Sequence, residues 1–251
     1  SLEEVLAYPW PDPDWIEVSH IREEALQWGG EFAILGGEWS PFWHDAIDLL
    51  DFDGLIYQMY DNPEIVHTVM QRTSEYYLEV SRRIFEAAGD AIDIFFIGND
   101  LGAQTGPLLS PPLFREFVLP YLKRFVDLGH EYGKLVVLHT DGSMREFIPD
   151  LIAIGMDGMQ SVQPYCRGMD LAGLKRDFGR DFTFFGCIDT QRLIETTPEG
   201  ARQLTREVLE IMMPGGGFIA SPSHDYLLPE TPVENVIIMY ETIRECGSYD
   251  P

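Results

Sequence analysis

The sequence predicts a parallel α/β fold, in which each strand is followed by a helix that crosses back over the sheet. Three observations support this prediction. Short apolar runs alternate with longer amphipathic segments from about residue 90 onward. The 251 residues suffice for one large domain, and no low-complexity linker or internal repeat divides them. Chains with this alternation form a parallel sheet with helices packed outside it.

Six apolar runs have the length and composition of buried strands. They are residues 31–37, 91–98, 134–139, 156–162, 182–188 and 216–222. Residues 1–30 contain several prolines and are interpreted as a lead-in segment, not as a strand–helix unit. An eight-stranded barrel of this class needs about 250 residues. With six strands, either the barrel is incomplete, further strands lie in the lead-in, or an N-terminal portion is missing from the chain.

The segments between these runs carry apolar residues at helical spacing. The helix that begins near Pro111, for example, places Phe114, Phe117, Tyr121 and Phe125 on one face. Further helices are predicted around residues 41–50, 52–60, 63–89, 144–155, 169–178, 198–213 and 232–246. Taken together, the pattern predicts a single domain over residues 1–251.

The charge balance excludes several kinds of partner. With 42 acidic and 17 basic residues, the net charge is −25, which repels phosphate backbones and anionic membrane surfaces. No apolar run approaches 18 residues, and the N-terminal residues lack a signal-peptide pattern. The three cysteines form no C-x-x-C pair, which disfavours a disulfide scaffold. We therefore expect a cytoplasmic protein that binds neither nucleic acid nor membrane.

Polar side chains follow the predicted strands, at the strand ends where parallel α/β proteins place their chemistry. In chain order they are Glu38, Trp39, Trp43 and His44; Asn99, Asp100 and Gln104; His139, Thr140 and Asp141; Gln160, Gln163 and Tyr165; Cys187 and Asp189; and Ser223, His224 and Asp225. Because so many strands share this feature, we expect a functional site at that edge of the sheet.

His139 and Asp141 form the sharpest local cluster. Residues i and i+2 at a strand end project to the same side, so an imidazole and a carboxylate can converge on one ion. His224 can supply a third ligand, which gives the donor set of a catalytic zinc site or another divalent-metal site. The alternative is that His139 bonds a neighbouring loop while Asp141 caps a helix that starts near Ser143.

The other candidates also have structural interpretations. Asn99 and Asp100 are of the residue type that starts turns after strands. Trp39, Trp43 and His44 are compatible with packing on a helix face.

From Asn99 onward the sequence resembles the uroporphyrinogen decarboxylase superfamily, which also includes the corrinoid-dependent methyltransferases. The matching segments are residues 99–125, 135–143 (LVVLHTDGS), 155–160 (GMDGMQ), 184–200 and 221–235 (SPSHDYLLPETPVEN). Their order and spacing agree over about 150 residues. The resemblance implies a (β/α)8 barrel of the TIM type, whose members usually carry further N-terminal sequence, which would explain the strands that are missing here.

In the methyltransferase branch, an H-x-C pair and a later cysteine bind zinc, which activates a thiol. Here the H-x-C position reads His139-Thr140-Asp141, and the later position holds His224 or Asp225. Both cysteines are thus replaced. A zinc site of His, Asp and His is still chemically sound, and the exchange of thiolates for oxygen and nitrogen ligands leaves the metal more Lewis-acidic.

In the decarboxylase branch, an aspartate contacts the pyrrole NH groups of the substrate, and Asp100 lies at that position. His224 matches a histidine near the end of the chain. The first forty residues lack the arginine motif that helps to hold the polycarboxylate substrate.

The resemblance and the residues together predict a methyltransferase that moves a methyl group between a small substrate and a corrinoid cofactor, carried by a partner protein. The metal ligands are predicted to be His139, Asp141 and His224. The other assigned residues are Asp100, Glu38 and Tyr165 for catalysis and Asn99, Gln104, Trp43 and Gln160 for substrate binding. A metal-free decarboxylase and a non-catalytic binding barrel are the alternatives, and a homodimer is compatible with each.

Overall fold

A computed structural model describes residues 1–249 of the chain. Contacts between Cα atoms divide the chain into two compact units. Unit 1 contains Ser1–Asp100, Leu109–His139 and Ala153–Met156, and unit 2 contains Leu101–Leu108, Thr140–Ile152 and the chain from Asp157 onward. The single domain predicted from the sequence stays a prediction.

Unit 1 contains three parallel strands, β1 (Leu35–Gly36), β2 (Ile94–Gly98) and β3 (Leu135–His139). Strand β2 pairs with both neighbours, so that Gly98 and His139 lie side by side at the carboxyl ends of β2 and β3. Most side chains of β2 and β3 are buried. This burial explains why both strands read as continuous apolar runs in the sequence, as is typical of parallel sheets.

Unit 2 contains three more parallel strands, β4 (Gly158–Val162), β5 (Thr183–Ile188) and β6 (Phe218–Pro222). The register of β4 with β5 shifts between Gln160 and Val162, and the intervening Ser161 has a positive φ of 76°. A bulge of this kind re-aims a side chain at the end of a strand. A short antiparallel hairpin, formed within residues 102–107, also belongs to unit 2.

Seven α-helices lie in unit 1. They are α1 (Leu2–Ala7), α2 (Ile21–Trp28), α3 (Phe42–Leu50), α4 (Phe52–Asp61), α5 (Pro63–Ala88), α6 (Pro111–Phe117) and α7 (Leu119–Glu131). The single helix predicted from Pro111 is divided in two at Val118. Pro120, in the first turn of α7, explains the division because it has no N–H to continue the helical ladder.

Five α-helices follow in the remaining described residues. They are α8 (Ile148–Ala153), α9 (Leu171–Phe178), α10 (Thr190–Glu195), α11 (Pro198–Met212) and α12 (Val233–Cys246). Side chains cap three of them at the N-terminus: Asp170 for α9, Asp189 for α10 and Thr197 for α11. In the part of the chain that the structure describes, no helix combines the length and apolarity needed to cross a bilayer.

The predicted fold class is confirmed, since all six predicted strands are present, run parallel to the partners described above and alternate with helices. The strand predicted at 31–37 is reduced to Leu35–Gly36. The lead-in, residues 1–30, contains α1 and α2 and, as described, no strand. Helix α1 begins with a capping box in which Ser1 and Glu4 bond each other's backbone and side chain, a signal present in the sequence.

Asn235 offers a test of the packing in unit 2. Its buried Nδ2 donates to the carbonyl oxygens of Leu193 (2.8 Å) and Thr196 (2.9 Å), which ties α12 to the end of α10. Asn235→Ala should lower the free energy of unfolding by about 1–2 kcal/mol, because a buried carbonyl and a partly buried one lose their donor. The loss is partly offset because the Oδ1 of Asn235, which is buried without a partner, is removed as well.

Urea unfolding of the purified protein measures this difference. Asn62→Ala is the matched control, since the Asn62 side chain is exposed and donates to the nearby Gln58 side chain, and it should change stability by less than about 0.5 kcal/mol. Equal effects of the two substitutions would contradict the assigned role of Asn235.

Candidate metal centre

Asp100 lies between two imidazoles in unit 1. Its Oδ1 is 3.6 Å from Nε2 of His139, and its Oδ2 is 3.5 Å from Nε2 of His44. The backbone N–H of Asp100 also donates to Nε2 of His44 at 3.3 Å. A neutral His44 therefore carries its proton on Nδ1 and keeps a nitrogen lone pair on the side of Asp100.

His139 is held at the end of β3 by an aromatic wall. It is buried, and its ring lies 5.2 Å from that of Trp39, which in turn lies 5.3 Å from Phe96. The Trp39 indole needs the space above Gly98, since a Cβ there would be 1.9 Å from Cζ2 of Trp39. The sequence around β2 and β3 thus restricts where the His139 imidazole can lie.

Asp141 is oriented by hydrogen bonds in unit 2. Its Oδ1 accepts from Oγ of Ser161 at 2.5 Å and from Nε2 of Gln163 at 2.8 Å. Its Oδ2 lies 3.1 Å from Nε2 of His224. The alternative in which Asp141 caps a helix near Ser143 is wrong, because the next helix, α8, begins only at Ile148.

His224 has its tautomer set by the backbone. Its Nδ1 accepts a hydrogen bond from the N–H of Tyr226 at 2.9 Å. A neutral imidazole in this arrangement carries its proton on Nε2, the nitrogen that faces Asp141. As described, His224 is therefore a hydrogen-bond donor to Asp141, and its assignment as a metal ligand stays a prediction.

Asp100 and His139 in unit 1, and Asp141 in unit 2, carry side-chain atoms of the kinds that bind divalent metals. Within unit 1, Oδ1 of Asp100 lies 3.6 Å from the ring nitrogen Nε2 of His139, and within unit 2 Asp141 presents a carboxylate held by Ser161 and Gln163. Imidazole nitrogen and carboxylate oxygen are donors that suit zinc and other divalent metals. A carboxylate ligand is commonly fixed by further hydrogen bonds, as Asp141 is by Ser161 and Gln163. The residues present therefore fit a divalent cation.

The two buried cysteines are poorly suited to replace those ligands. Burial, with smaller contributions from Asp141 and Asp189, raises the pKa of the Cys166 thiol to about 11. Cys187 is fully buried in β5, and this burial raises the pKa of its thiol further. Because a metal binds the thiolate form, both thiols are disfavoured as ligands near neutral pH.

Glu38 and Tyr165, predicted for proton transfer, are both half-buried. Burial raises the pKa of the Glu38 carboxyl, against a hydrogen bond from the Trp39 backbone. Burial also raises the pKa of the Tyr165 phenol, which lines a cleft of about 170 Å³ in unit 2 together with His224 and Tyr226. Near neutral pH, Tyr165 is thus a hydrogen-bond donor, and the catalytic role of both residues stays a prediction.

Two of the residues predicted to bind substrate, Asn99 and Trp43, are buried in unit 1. Asn99 is fully buried, donates to the carbonyl of Ser40 and accepts from the N–H of Trp43. Trp43 is also fully buried, with no hydrogen-bond partner for its indole N–H in the described chain. Substrate contact by either residue stays a prediction.

The other two residues predicted to bind substrate, Gln160 and Gln104, lie in unit 2. Gln160, in the middle of β4, is buried and donates to Asp225 at 2.5 Å. Gln104 is exposed in the short hairpin, where its carbonyl accepts from the N–H of Arg167. Their substrate contacts also stay predictions.

His44 and Ser161 were not predicted from the sequence as parts of the centre. The sequence favours helix-face packing for His44, whereas its imidazole contacts Asp100. Ser161 reaches Asp141 from a left-handed backbone conformation that serine rarely adopts. The position of His44 in the first turn of a predicted helix, just after a strand, was a signal for this residue. No local pattern marks Ser161.

Comparisons with known proteins agree with this fold. Residues 17–246 match the family model described as uroporphyrinogen decarboxylase (URO-D). The chain is 25% identical over 238 residues to a uroporphyrinogen decarboxylase of Azoarcus sp. (strain BH72), which covers 91% of this chain and 62% of that protein. It is 24% identical over 265 residues to that of Pseudoalteromonas translucida (strain TAC 125), covering 98% and 69%.

Among solved structures, a methyltransferase from Methanosarcina mazei matches with a TM-score of 0.70 at 22% identity. The match covers 92% of this chain and 63% of that one. At this identity the likeness concerns the fold. The chain spans about half to two thirds of the length of the curated relatives it matches.

The raised pKa of Glu38 predicts a pH-dependent loss of stability. As the pH rises, the glutamate ionises first in the unfolded chain, while the folded protein keeps the proton. The unfolding free energy of the wild type relative to Glu38→Gln should therefore be highest at low pH and should fall as the pH passes through the raised pKa. Urea unfolding between about pH 4 and pH 7 measures this difference.

Glu64→Gln, at an exposed position on α5, is the control and should show no such trend. A wild-type stability that rises relative to Glu38→Gln over the same range would mean that the pKa of Glu38 is lowered in the folded protein, contrary to this prediction.

Proposed function

Because residues 17–246 match the family model, the chain belongs to the uroporphyrinogen decarboxylase (URO-D) family, and on this premise we propose that the chain is a metal-dependent methyltransferase. It would move a methyl group between a small substrate and a corrinoid carried by a partner protein. The observation that carries the proposal is the pair of Asp100 and His139 in unit 1, whose Oδ1 and Nε2 lie 3.6 Å apart. Asp141 in unit 2 adds a carboxylate that Ser161 and Gln163 hold in place. The fold shared with a methyltransferase from Methanosarcina mazei is consistent with it.

His139, Asp141 and Asp100 would hold the cation. A divalent cation in this position supplies Lewis acidity toward a heteroatom of the substrate. Ser161 and Gln163 keep the Asp141 carboxylate in one orientation through its Oδ1. Fixing the ligands in advance reduces the reorganisation that binding requires.

The neighbouring residues would donate or accept protons and orient the Asp141 carboxylate and the substrate. His224 donates Nε2–H toward Asp141 and so stabilises its negative charge when no cation is bound. Tyr165 keeps a neutral O–H that can donate to a polar substrate atom in the adjoining cleft of unit 2. Glu38, whose pKa burial raises, can hold and return a proton closer to neutral pH than an exposed glutamate.

The absence of cysteine at Asp141 and His224 separates this proposal from zinc sites with thiolate ligands. Oxygen and nitrogen ligands leave more positive charge on the cation than thiolates do, so the proposal favours substrates with a hard heteroatom, oxygen or nitrogen, over thiols. The net charge of −25 would favour a partner protein with a basic docking surface.

A metal-free decarboxylase is the second candidate, and the names of the curated relatives favour it. In that case Asp100, flanked by His44 and His139, would accept hydrogen bonds from the pyrrole NH groups of a tetrapyrrole. The two candidates differ in whether the cluster holds a cation or an organic N–H donor.

Metal content is the direct test of the cluster. Purified protein incubated with zinc and then desalted should retain about one equivalent per chain. His139→Ala should lose most of it, because one of three ligands is removed, and Asp141→Asn should weaken binding by at least about tenfold. Elemental analysis measures both.

His20→Ala is the matched control, since His20 is exposed in the lead-in and should leave the zinc content unchanged. Equal zinc contents in the wild type and a folded His139→Ala would overturn the proposed ligand set.

Methyl transfer is the test of the activity. Zinc-loaded wild type, mixed with methylcobalamin and a panel of amine, alcohol and thiol acceptors, should accelerate demethylation of the corrinoid with at least one acceptor. His139→Ala should reduce this rate by at least about a hundredfold. Absence of transfer, combined with tight metal-free binding of a tetrapyrrole that Asp100→Asn abolishes, would favour the decarboxylase instead.

A further inference from the structure

A second cleft lies in unit 1, on the side of α3 that carries Asp45 and Asp48. It has a volume of about 240 Å³. Tyr8 and Trp10, which follow α1, form one wall, and Tyr76 of α5 lines the cleft as well. The cleft is thus bordered by three aromatic rings and two carboxylates.

The aromatic wall is ordered by its own contacts. The rings of Tyr8 and Trp10 meet edge to face, with centroids 4.9 Å apart and planes at 64°. The indole N–H of Trp10 donates to the carbonyl of Val5 at 3.0 Å, which satisfies its polar group and fixes the ring. Aromatic rings ordered in this way can bind a cation without first losing conformational freedom.

The carboxylates of the cleft lack a compensating cation. Asp45 accepts a hydrogen bond from the Tyr77 hydroxyl at 2.7 Å, and among the described residues neither Asp45 nor Asp48 forms an ion pair with lysine or arginine. Burial raises the pKa of Asp45, and the charge of Asp48 raises it further, whereas the bond from Tyr77 and the nearby His44 lower it. A positive charge in the cleft would relieve this repulsion.

The aromatic residues of the cleft indicate which kind of cation the cleft would bind. Among the described residues, no group of three metal-binding side chains lies at the cleft. Aromatic faces favour large, weakly hydrated cations over small metal ions, and quaternary ammonium groups are bound by aromatic cages in this way. The volume lies below that of pockets for drug-sized ligands, which limits the occupant to a small molecule.

We infer that this cleft is a binding site for a small methylated ammonium ion, held by Trp10, Tyr8 and Tyr76 through their ring faces and by Asp45 and Asp48 through charge. The site is separate in its residues from the candidate metal centre. The two share only helix α3, on which Asp45 follows His44, the residue that contacts Asp100.

Calorimetric titration with choline tests this inference on the metal-free protein at constant ionic strength. Choline should bind, and its uncharged isostere, in which carbon replaces nitrogen, should bind at least about tenfold more weakly because it lacks the charge. Equal binding of the two compounds, or no binding of choline, would overturn the inference.

Two substitutions locate the site. Trp10→Leu should weaken choline binding by about tenfold, and Asp48→Asn by about threefold. Asp48 is exposed, so its substitution keeps the test decisive even if Trp10→Leu destabilises the N-terminal segment. Tyr57→Leu and Asp53→Asn, both exposed on α4, are the matched controls and should bind choline as the wild type does.

Unchanged binding in Asp48→Asn and in a folded Trp10→Leu would overturn the assignment to this cleft. His139→Ala should retain choline binding, so that failure of the metal proposal and failure of this inference remain distinguishable.

Discussion

The negative charge of Asp141 is the constraint on which the candidate centre depends. A partly buried carboxylate is costly unless donors or a cation compensate its charge. Ser161 and Gln163 compensate one oxygen, and His224 faces the other. The bulge in β4 positions Ser161 beside this carboxylate. The backbone bond to Nδ1 of His224 sets the tautomer of the imidazole that faces it. It is therefore oriented before any ligand arrives.

The resemblance to the methyltransferase branch implies an aspartate in place of a cysteine ligand, which changes what the proposed centre can do. Thiolate ligands donate much charge to zinc, whereas carboxylate and imidazole donate less, so the centre proposed here is the stronger Lewis acid. The cysteines that the chain retains near β4 and β5 do not reverse this, because burial keeps Cys166 and Cys187 protonated. Under the proposed function, the favoured substrates therefore carry oxygen or nitrogen heteroatoms.

Much of the fold could be predicted from the sequence, because a buried parallel strand leaves a contiguous apolar run and each run ends in polar residues. His139 and Asp141 could be found in the same way, as neighbours at one strand end. The pairing of Asp100 with His44 could not, since 56 residues separate them and no local pattern encodes the contact. The left-handed Ser161 was equally hidden, because its conformation follows from the register shift between β4 and β5.

The most direct test of the account is X-ray absorption at the zinc edge of the zinc-loaded protein, because it identifies the ligand atoms themselves. The account predicts nitrogen and oxygen neighbours at about 2.0–2.2 Å, with no sulfur, and one fewer imidazole contribution in His139→Ala. A sulfur neighbour at about 2.3 Å would mean that a cysteine thiolate binds the metal, and it would contradict the proposed ligand set.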